Sequence, residues 1–160
     1  MKMIGFWKPK DAFGEFSNWF RSEFEYDGKH FINSEQAFMY LKAKLFNDTD
    51  IIEKILKNGN PMICKNLGRC VKPFDPVLFD ENKYQFMVDV LLAKFSGNPS
   101  LKKLLLDTGD AILVEASPKD KIWGIGMDLN HPDFNDSSKW KGQNLLGKAL
   151  MEVRAKLSTD

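Results

Sequence analysis

The chain has 160 residues, of which 43% are hydrophobic and 28% are charged, with 23 Lys and Arg against 22 Asp and Glu. This length suits one domain with a buried core, so we expect a single domain over residues 1–160. A formal net charge of +1 disfavours general duplex-binding proteins, which usually carry a basic stripe. No apolar stretch approaches the ~20 residues of a membrane-spanning helix, and the start predicts no signal peptide. We therefore expect a cytoplasmic protein that contacts no membrane.

Cysteine and histidine usage gives no sign of a redox or metal site. Cys64 and Cys70 have a spacing that suits neither a CxxC pair nor a zinc knuckle, which predicts reduced, partly buried thiols. His30 and His131 are the only histidines, too few for a His-rich metal centre, and no carboxylate-loop signature is present. We expect neither a metal nor a cofactor.

The first half of the chain predicts a strand, a hairpin and three helices. Residues 4–7 are a short apolar strand, and residues 22–32 form a hairpin that turns at Asp27-Gly28. The first helix begins at residue 33 or 34, where Asn33 and Gln36 have the spacing of a capping box, and ends near residues 46–47. A second helix runs from residues 48–49 to the stop at 58–59. A third runs from the cap-and-proline pair at 60–61 to residue 68.

The second half predicts three more helices, one strand and a long loop. The best-defined helix spans residues 80–95, after an irregular proline-containing connection. A short helix follows around residues 101–105, then a strand over 111–116, and a last helix over 144–157. The loop 119–142 is rich in Gly, Asp, Asn and Ser, and loops of this length are usually functional or disordered. Together the elements predict the α+β class: a mainly helical single domain with a few short strands.

The first helix carries two charged residues close to its apolar face. At ~100° per residue, Glu35, Phe38 and Lys42 share one stripe. Glu35 and Lys42 are about 10.5 Å apart along the axis, so they do not pair directly. Two interpretations are open. Each charge pairs with another helix or reaches water, or both line a cleft in which Glu35 does acid or base chemistry.

Two segments of the long loop and one arginine are candidates for phosphate or base contacts. In residues 120–126, Gly124 and Gly126 allow a ligand close to the backbone, while Trp123 either stacks on a base or belongs to the core. In residues 140–144, Asn144 either caps the last helix or marks an anion site at its N-terminus. Arg69 either contacts phosphate or forms a surface salt bridge.

Motifs in these same segments resemble the YbiA-like (NADAR) family, in order and over nearly the entire chain. They include residues 14–19, Ser34–Phe38 with Lys42, residues 67–69, Trp123–Gly126 and Trp140–Gly147. The resemblance implies a YbiA-like fold and an N-glycosidase that hydrolyses a ribosyl C–N bond. The partner it implies is a small ribosylated nucleotide-type molecule, namely a riboflavin-pathway ribosylamino-pyrimidine intermediate.

Two alternatives remain: hydrolysis of ADP-ribosyl-guanine in DNA or RNA, and a non-catalytic ADP-ribose or nucleotide-binding module. The resemblance implies catalytic roles for Glu35, Asp120, Lys42 and Lys8. The substrate-binding residues it implies are Asn18, Arg69, Phe79, Trp123, Gly124, Gly126, Trp140 and Asn144. The chain departs from the riboflavin-type members at Phe79, where a tryptophan is expected, and in a longer loop over residues 127–139 that could cover the pocket. These departures bear on the choice of substrate.

Overall fold

The computed structural model describes residues 2–159, which cluster into two compact units. One unit combines the described parts of Met1–Phe20 and Pro99–Asp160, and the other is Arg21–Asn98. Six α-helices and four short strands lie within the described residues, which confirms the predicted α+β class. Across residues 2–159, every helix is too short or too polar to cross a lipid bilayer. The single domain expected over residues 1–160 stays a prediction.

The first unit is built on two parallel strands. β1 (Met3–Phe6) pairs with β4 (Ile112–Glu115), so that Ile4 lies beside Leu113. α6 (Leu145–Leu157) packs on β4, and α5 (Pro99–Asp107) packs on α6. The approach of α6 requires a glycine, because a Cβ at Gly147 would overlap the carbonyl oxygen of Leu113. The two predicted strands and the last helix are confirmed, with ends that differ by at most one residue.

The second unit is a hairpin and four helices, with one helix at its centre. β2 (Phe24–Tyr26) and β3 (Lys29–Phe31) pair as predicted, and Asp27 and Gly28 both have the positive φ that such a tight turn requires. α1 (Ser34–Leu45) packs against α2 (Thr49–Leu56), α3 (Pro61–Gly68) and α4 (Pro76–Ser96). The predicted positions of α1, α2 and α3 are confirmed.

The predicted start of α4 is wrong by four residues. The helix begins at Pro76, because the Asp75 side chain accepts hydrogen bonds from the backbone N–H groups of Val77 and Leu78. Proline at the first helical position needs no hydrogen-bond partner there. The first turn was missed because Val77 and Leu78 are exposed, so it carries no apolar periodicity.

The two thiols have different surroundings, which corrects the expectation that both are partly buried. Cys64 is fully buried in α3 and donates a hydrogen bond to the Asn58 carbonyl oxygen at 3.0 Å, whereas Cys70 is exposed. Neither is in a disulfide. Burial, followed by the negative charge of Glu35, raises the pKa of Cys64 to about 11, so this thiol is unreactive.

Candidate active site

Glu35 lies in the first turn of α1, and the surrounding hydrogen bonds define where that helix begins. The Asn33 side chain accepts from the Gln36 N–H at 2.8 Å, as the capping box predicts. Gln36 Oε1 accepts from the N–H of Ile32 instead of Asn33, and its Nε2 donates to the Ile55 carbonyl at 3.0 Å. Glu35 itself is only 9% exposed. A carboxylate near a helix N-terminus is stabilised by the helix dipole, so this position favours a buried negative charge.

Lys42 lies two turns further along α1, with its ammonium over two aromatic rings. Lys42 Nζ is 4.8 Å from the centroid of Phe74 and 5.1 Å from that of Phe79. No carboxylate within residues 2–159 forms an ion pair with it. Burial and the nearby Arg69 lower the pKa of Lys42, and the more weakly acting Glu35 opposes this change. The charges of Arg69 and Glu35 therefore both act on Lys42, and the cleft interpretation stays a prediction.

Arg69 caps the C-terminal end of α3 and is exposed to solvent. None of the ion pairs among the described residues includes Arg69. The surface salt bridge, which was one of the two interpretations of Arg69, is thus not formed among the described residues. A guanidinium without a carboxylate partner retains its capacity to bind phosphate through two parallel hydrogen bonds.

Phe79 belongs to a cluster of aromatic rings beside Lys42. Its centroid is 5.9 Å from that of Phe38 and 6.0 Å from that of Phe74. Phe74 was not a sequence candidate. It lies between Pro73 and Asp75, outside any periodic pattern. The one sequence signal for it is that an aromatic residue stands alone in a connection between helices.

In the other unit, Asp120 organises the turn that precedes Trp123. Asp120 Oδ1 accepts from the N–H groups of Ile122 at 2.9 Å and Trp123 at 2.8 Å, and its carbonyl oxygen accepts from Gly126. No hydrogen bond from the described residues reaches the second carboxylate oxygen, Oδ2. One oxygen of Asp120 thus shapes the turn, while the other retains its capacity as an acceptor.

The segment 120–126 is paired with residues 141–146 by backbone hydrogen bonds. The N–H groups of Lys141, Gln143 and Asn144 donate to the carbonyls of Ile125, Lys121 and Gly124, in that order. A Cβ at Gly142 would overlap the Gly124 carbonyl oxygen, so the two segments meet where neither has a side chain. The glycines therefore permit close packing of backbone on backbone.

This pairing uses backbone N–H groups that the sequence suggested for phosphate. The Gly126 N–H donates to Asp120, and the first-turn N–H groups of α6, from Leu145 and Leu146, donate to the Ile122 and Trp123 carbonyls. Two N–H groups of the anion site that the sequence offers as one alternative at the N-terminus of α6 are therefore bonded to carbonyl oxygens of this chain. Sequence reasoning missed this because the pairing joins residues about twenty positions apart.

Trp140 is held against a small hydrophobic cluster. It packs beside Ile125, Met127 and Phe134, and its Nε1 donates to the Phe134 carbonyl at 2.8 Å. Met127 and Phe134 are buried, so the loop 127–139 is anchored at both places. These contacts give Trp140 a structural role, and its predicted contact with substrate stays a prediction.

Asn144 occupies the N-cap position of α6, but its side chain holds the helix to β4 instead of capping the first turn. Its side chain makes no capping hydrogen bond. Instead, Oδ1 accepts from the Glu115 N–H and Nδ2 donates to the Leu113 carbonyl, both at 3.0 Å. Its φ of 53° is one that asparagine tolerates better than most residues. Both polar ends of this buried side chain are satisfied within the chain.

Asn18 and Lys8 are the remaining sequence candidates. Asn18 Oδ1 is buried and accepts no hydrogen bond from residues 2–159, and such a group is costly unless a ligand or water satisfies it. Lys8 is exposed, and its ammonium lies 4.7 Å from the ring centroid of Trp7. Within residues 2–159, no group of three or more His, Cys, Asp or Glu side chains has the arrangement of a metal site.

Comparisons with known proteins match this chain over almost its whole length. The model of the NADAR domain matches residues 5–158. An N-glycosidase of Acanthamoeba polyphaga mimivirus is 43% identical over 144 residues, covering 87% of this chain and 85% of the relative. N-glycosidase YbiA of Escherichia coli K12 is 33% identical over 158 residues, covering 99% of this chain and 90% of the relative. The NMR structure of the E. coli protein YbiA superposes with a TM-score of 0.82 at 34% identity, covering 99% and 86% of the two chains. The chain belongs to the NADAR domain family.

Proposed function

We propose that this chain is an N-glycosidase that hydrolyses the C–N bond between ribose and a base-like nitrogen in riboflavin-pathway ribosylamino-pyrimidine intermediates. The mimivirus and E. coli relatives are named for N-glycosidase activity. The observation that carries the proposal is the buried carboxylate of Glu35, which lies at a helix N-terminus with Lys42 and Arg69 nearby. The enzyme is a hydrolase of N-glycosyl bonds, and its substrate is a small ribosylated nucleotide.

Glu35 supplies the charge that this reaction needs. Hydrolysis gives a hydroxyl to the anomeric carbon and a proton to the departing nitrogen, through a transition state with oxocarbenium character. A carboxylate stabilises that positive charge and accepts a proton from the attacking water. Because Glu35 is shielded from solvent, its interaction with a developing positive charge is stronger than it would be in water.

The two cations near Glu35 have different parts in the proposal. Arg69 binds the substrate phosphate, since it has a free guanidinium and no carboxylate partner among the described residues. Lys42 either stabilises the phosphate or attacks C1 of the ring-opened substrate. In the second case the lysine–sugar Schiff base forms as the C1–N bond to the base-like nitrogen breaks and that nitrogen leaves as a free amine, and water then hydrolyses the Schiff base to the sugar aldehyde and the lysine amine. The second role requires an uncharged amine, and the lowered pKa of Lys42 favours it.

The roles of Asp120, Trp123, Asn18 and Lys8 remain predictions within this proposal. Asp120 orients water or the ribose hydroxyls through Oδ2, and Trp123 stacks on the base or ribose. Asn18 offers a buried acceptor that lacks a donor. The predicted cytoplasmic location belongs to the proposal too, and two free cysteines are compatible with a reducing compartment.

The test is mass-spectrometric product analysis of the wild type, Glu35→Gln and the matched control Glu53→Gln. Glu53 is exposed on α2 and has no proposed part in the reaction. With ribosylamino-pyrimidines, we expect free pyrimidine from the wild type and the control, and turnover at least ~100-fold lower from Glu35→Gln. Activity within a few-fold of wild type in Glu35→Gln would show that this carboxylate is not catalytic.

A parallel incubation with guanine-linked ADP-ribose examines the alternatives. Release of ADP-ribose from this substrate alone would assign the chain to reversal of nucleic-acid ADP-ribosylation. Binding of ADP-ribose without cleavage of either substrate would leave a non-catalytic binding module.

A further inference from the structure

Four phenylalanines form a continuous row beside Lys42, and one of them, Phe74, is exposed to solvent. Ring centroids are 5.3 Å apart between Phe46 and Phe74, 6.0 Å between Phe74 and Phe79, and 5.9 Å between Phe79 and Phe38. Phe38 and Phe46 are buried, whereas Phe74 is 45% exposed. Phe74 thus has one side packed against other rings and much of the remainder available.

The backbone on both sides of Phe74 is held in place. On the N-terminal side, Val71 is buried and the Lys72 N–H donates to Asp48 Oδ2 at 2.9 Å. On the C-terminal side, Asp75 caps α4. An aromatic side chain on an anchored backbone loses little conformational entropy when a ligand stacks on it, so this arrangement favours binding.

The charges around Phe74 are complementary to a phosphorylated ligand. Lys42 Nζ lies over the Phe74 ring, Arg69 is close enough to lower the pKa of Lys42, and neither forms an ion pair within residues 2–159. Two cations without carboxylate partners attract phosphate, and an exposed aromatic ring stacks on a planar base. A nucleotide has both of these groups.

We propose that Phe74 is a further substrate-binding residue, which stacks on the heterocyclic base of a nucleotide whose phosphate is bound by Arg69. This inference rests on the proposed function and extends it, because it assigns recognition of the base to a residue that the sequence did not indicate. Phe74 selects for a planar base and takes no part in breaking the bond.

The test compares two ligands that differ in the base, guanosine 5′-monophosphate and ribose 5-phosphate, by isothermal titration calorimetry. Stacking of a base on an aromatic side chain predicts that Phe74→Ala raises the Kd for guanosine 5′-monophosphate about tenfold or more. The same change leaves the Kd for ribose 5-phosphate within about twofold.

Phe74→Trp retains binding, and Arg69→Gln weakens both ligands. Val77→Ala, which shortens an apolar residue that is 65% exposed in the first turn of α4, is the matched control and changes neither.

Phe74→Leu keeps an apolar side chain at this position but removes the aromatic face, and circular dichroism checks the folding of every variant. If Phe74→Leu binds guanosine 5′-monophosphate as the wild type does, the inference is wrong. Equal weakening of both ligands by Phe74→Ala, or no binding of guanosine 5′-monophosphate by the wild type, would also overturn it. Failure of the proposed function has a different signature, since it appears as absence of cleavage and this experiment measures binding alone.

Discussion

Lys42 is a cation that the folded chain holds beside aromatic rings and away from carboxylates. Its lowered pKa shows that the charged ammonium is less favourable in the folded chain than in the unfolded one. This penalty applies at neutral pH and disappears as the pH rises past 10.5, the ordinary pKa of lysine. Contacts with two rings offset it by ~0.5–1 kcal/mol each. On balance, Lys42 contributes little to stability.

We expect Lys42→Met to separate stability from activity. The free energy of unfolding at pH 7 should change by less than about 1 kcal/mol, while turnover falls ~100-fold or more because the amine is lost. Lys44→Met is the control, since Lys44 lies on the same helix and pairs with Asp27 at 2.6 Å; it should keep its activity. Urea unfolding and product analysis measure the two quantities. Turnover close to wild type in Lys42→Met would remove Lys42 from the mechanism.

Asp27 shows the opposite behaviour, because the fold favours its charged form. Hydrogen bonds from Lys44 and then from the Tyr40 hydroxyl, both at 2.6 Å, lower the pKa of Asp27. Burial, followed by Asp27, raises the pKa of Tyr40 to about 12. A carboxyl group whose pKa is lower in the folded state stabilises the fold at pH values above its pKa in the unfolded chain, here 3.8. That stabilisation is lost as pH falls through the folded pKa.

Asp27→Asn should therefore be less stable than wild type at pH 7, by about 0.5–1.5 kcal/mol. Asparagine tolerates the positive φ of this turn, so the change removes the charge without straining the backbone. The difference should shrink as pH falls below about 4, when wild-type Asp27 also loses its charge. Urea unfolding from pH 7 to pH 3 measures it. Asp50→Asn, which alters an exposed ion pair with Lys54, should show no comparable trend, and a pH-independent difference for Asp27→Asn would contradict the linkage.

At the scale of elements, the connection between β4 and α6 depends on one side chain. Asn144 bonds both Leu113 and Glu115 of β4, and Gly147 lets the helix lie against the strand. The neighbouring pairing of residues 120–126 with 141–146 holds the turn that carries Trp123. This part of the long loop is therefore fixed by backbone hydrogen bonds in spite of its Gly-rich composition.

Asn144→Ala should destabilise the chain by about 2–4 kcal/mol, because one buried and one partly buried backbone group of β4 lose their partners and the positive φ is retained. Gln143→Ala, which changes an exposed side chain next to it, should stay within ~0.5 kcal/mol of wild type. Denaturant unfolding measures both. If Asn144→Ala is as stable as wild type but inactive, Asn144 contacts substrate and its bonds to β4 do not stabilise the fold.

At the scale of the whole molecule, composition and local patterns predicted the architecture well. The α+β class and the positions of the strands and most helices followed from periodicity, turns and caps. These signals act within a few residues: Asn33 with Gln36, Asp27 with Gly28, Asn60 with Pro61. The start of α4 was missed although Asp75 and Pro76 carry the same cap-and-proline signature as Asn60 and Pro61, because an exposed first turn adds no apolar spacing.

The sequence by itself determined the elements, the family and the candidate Glu35, since these depend on short-range patterns and on ordered motifs. Only the tertiary structure decided which polar groups are free to meet a ligand. Carbonyls of residues 122 and 123 occupy the N–H groups at the start of α6, and Asn144 is used on β4, whereas Arg69 and Phe74 remain accessible. Hydrogen bonding and burial depend on residues distant along the chain, so the spacing of motifs does not reveal whether a donor, a cation or a ring is already taken.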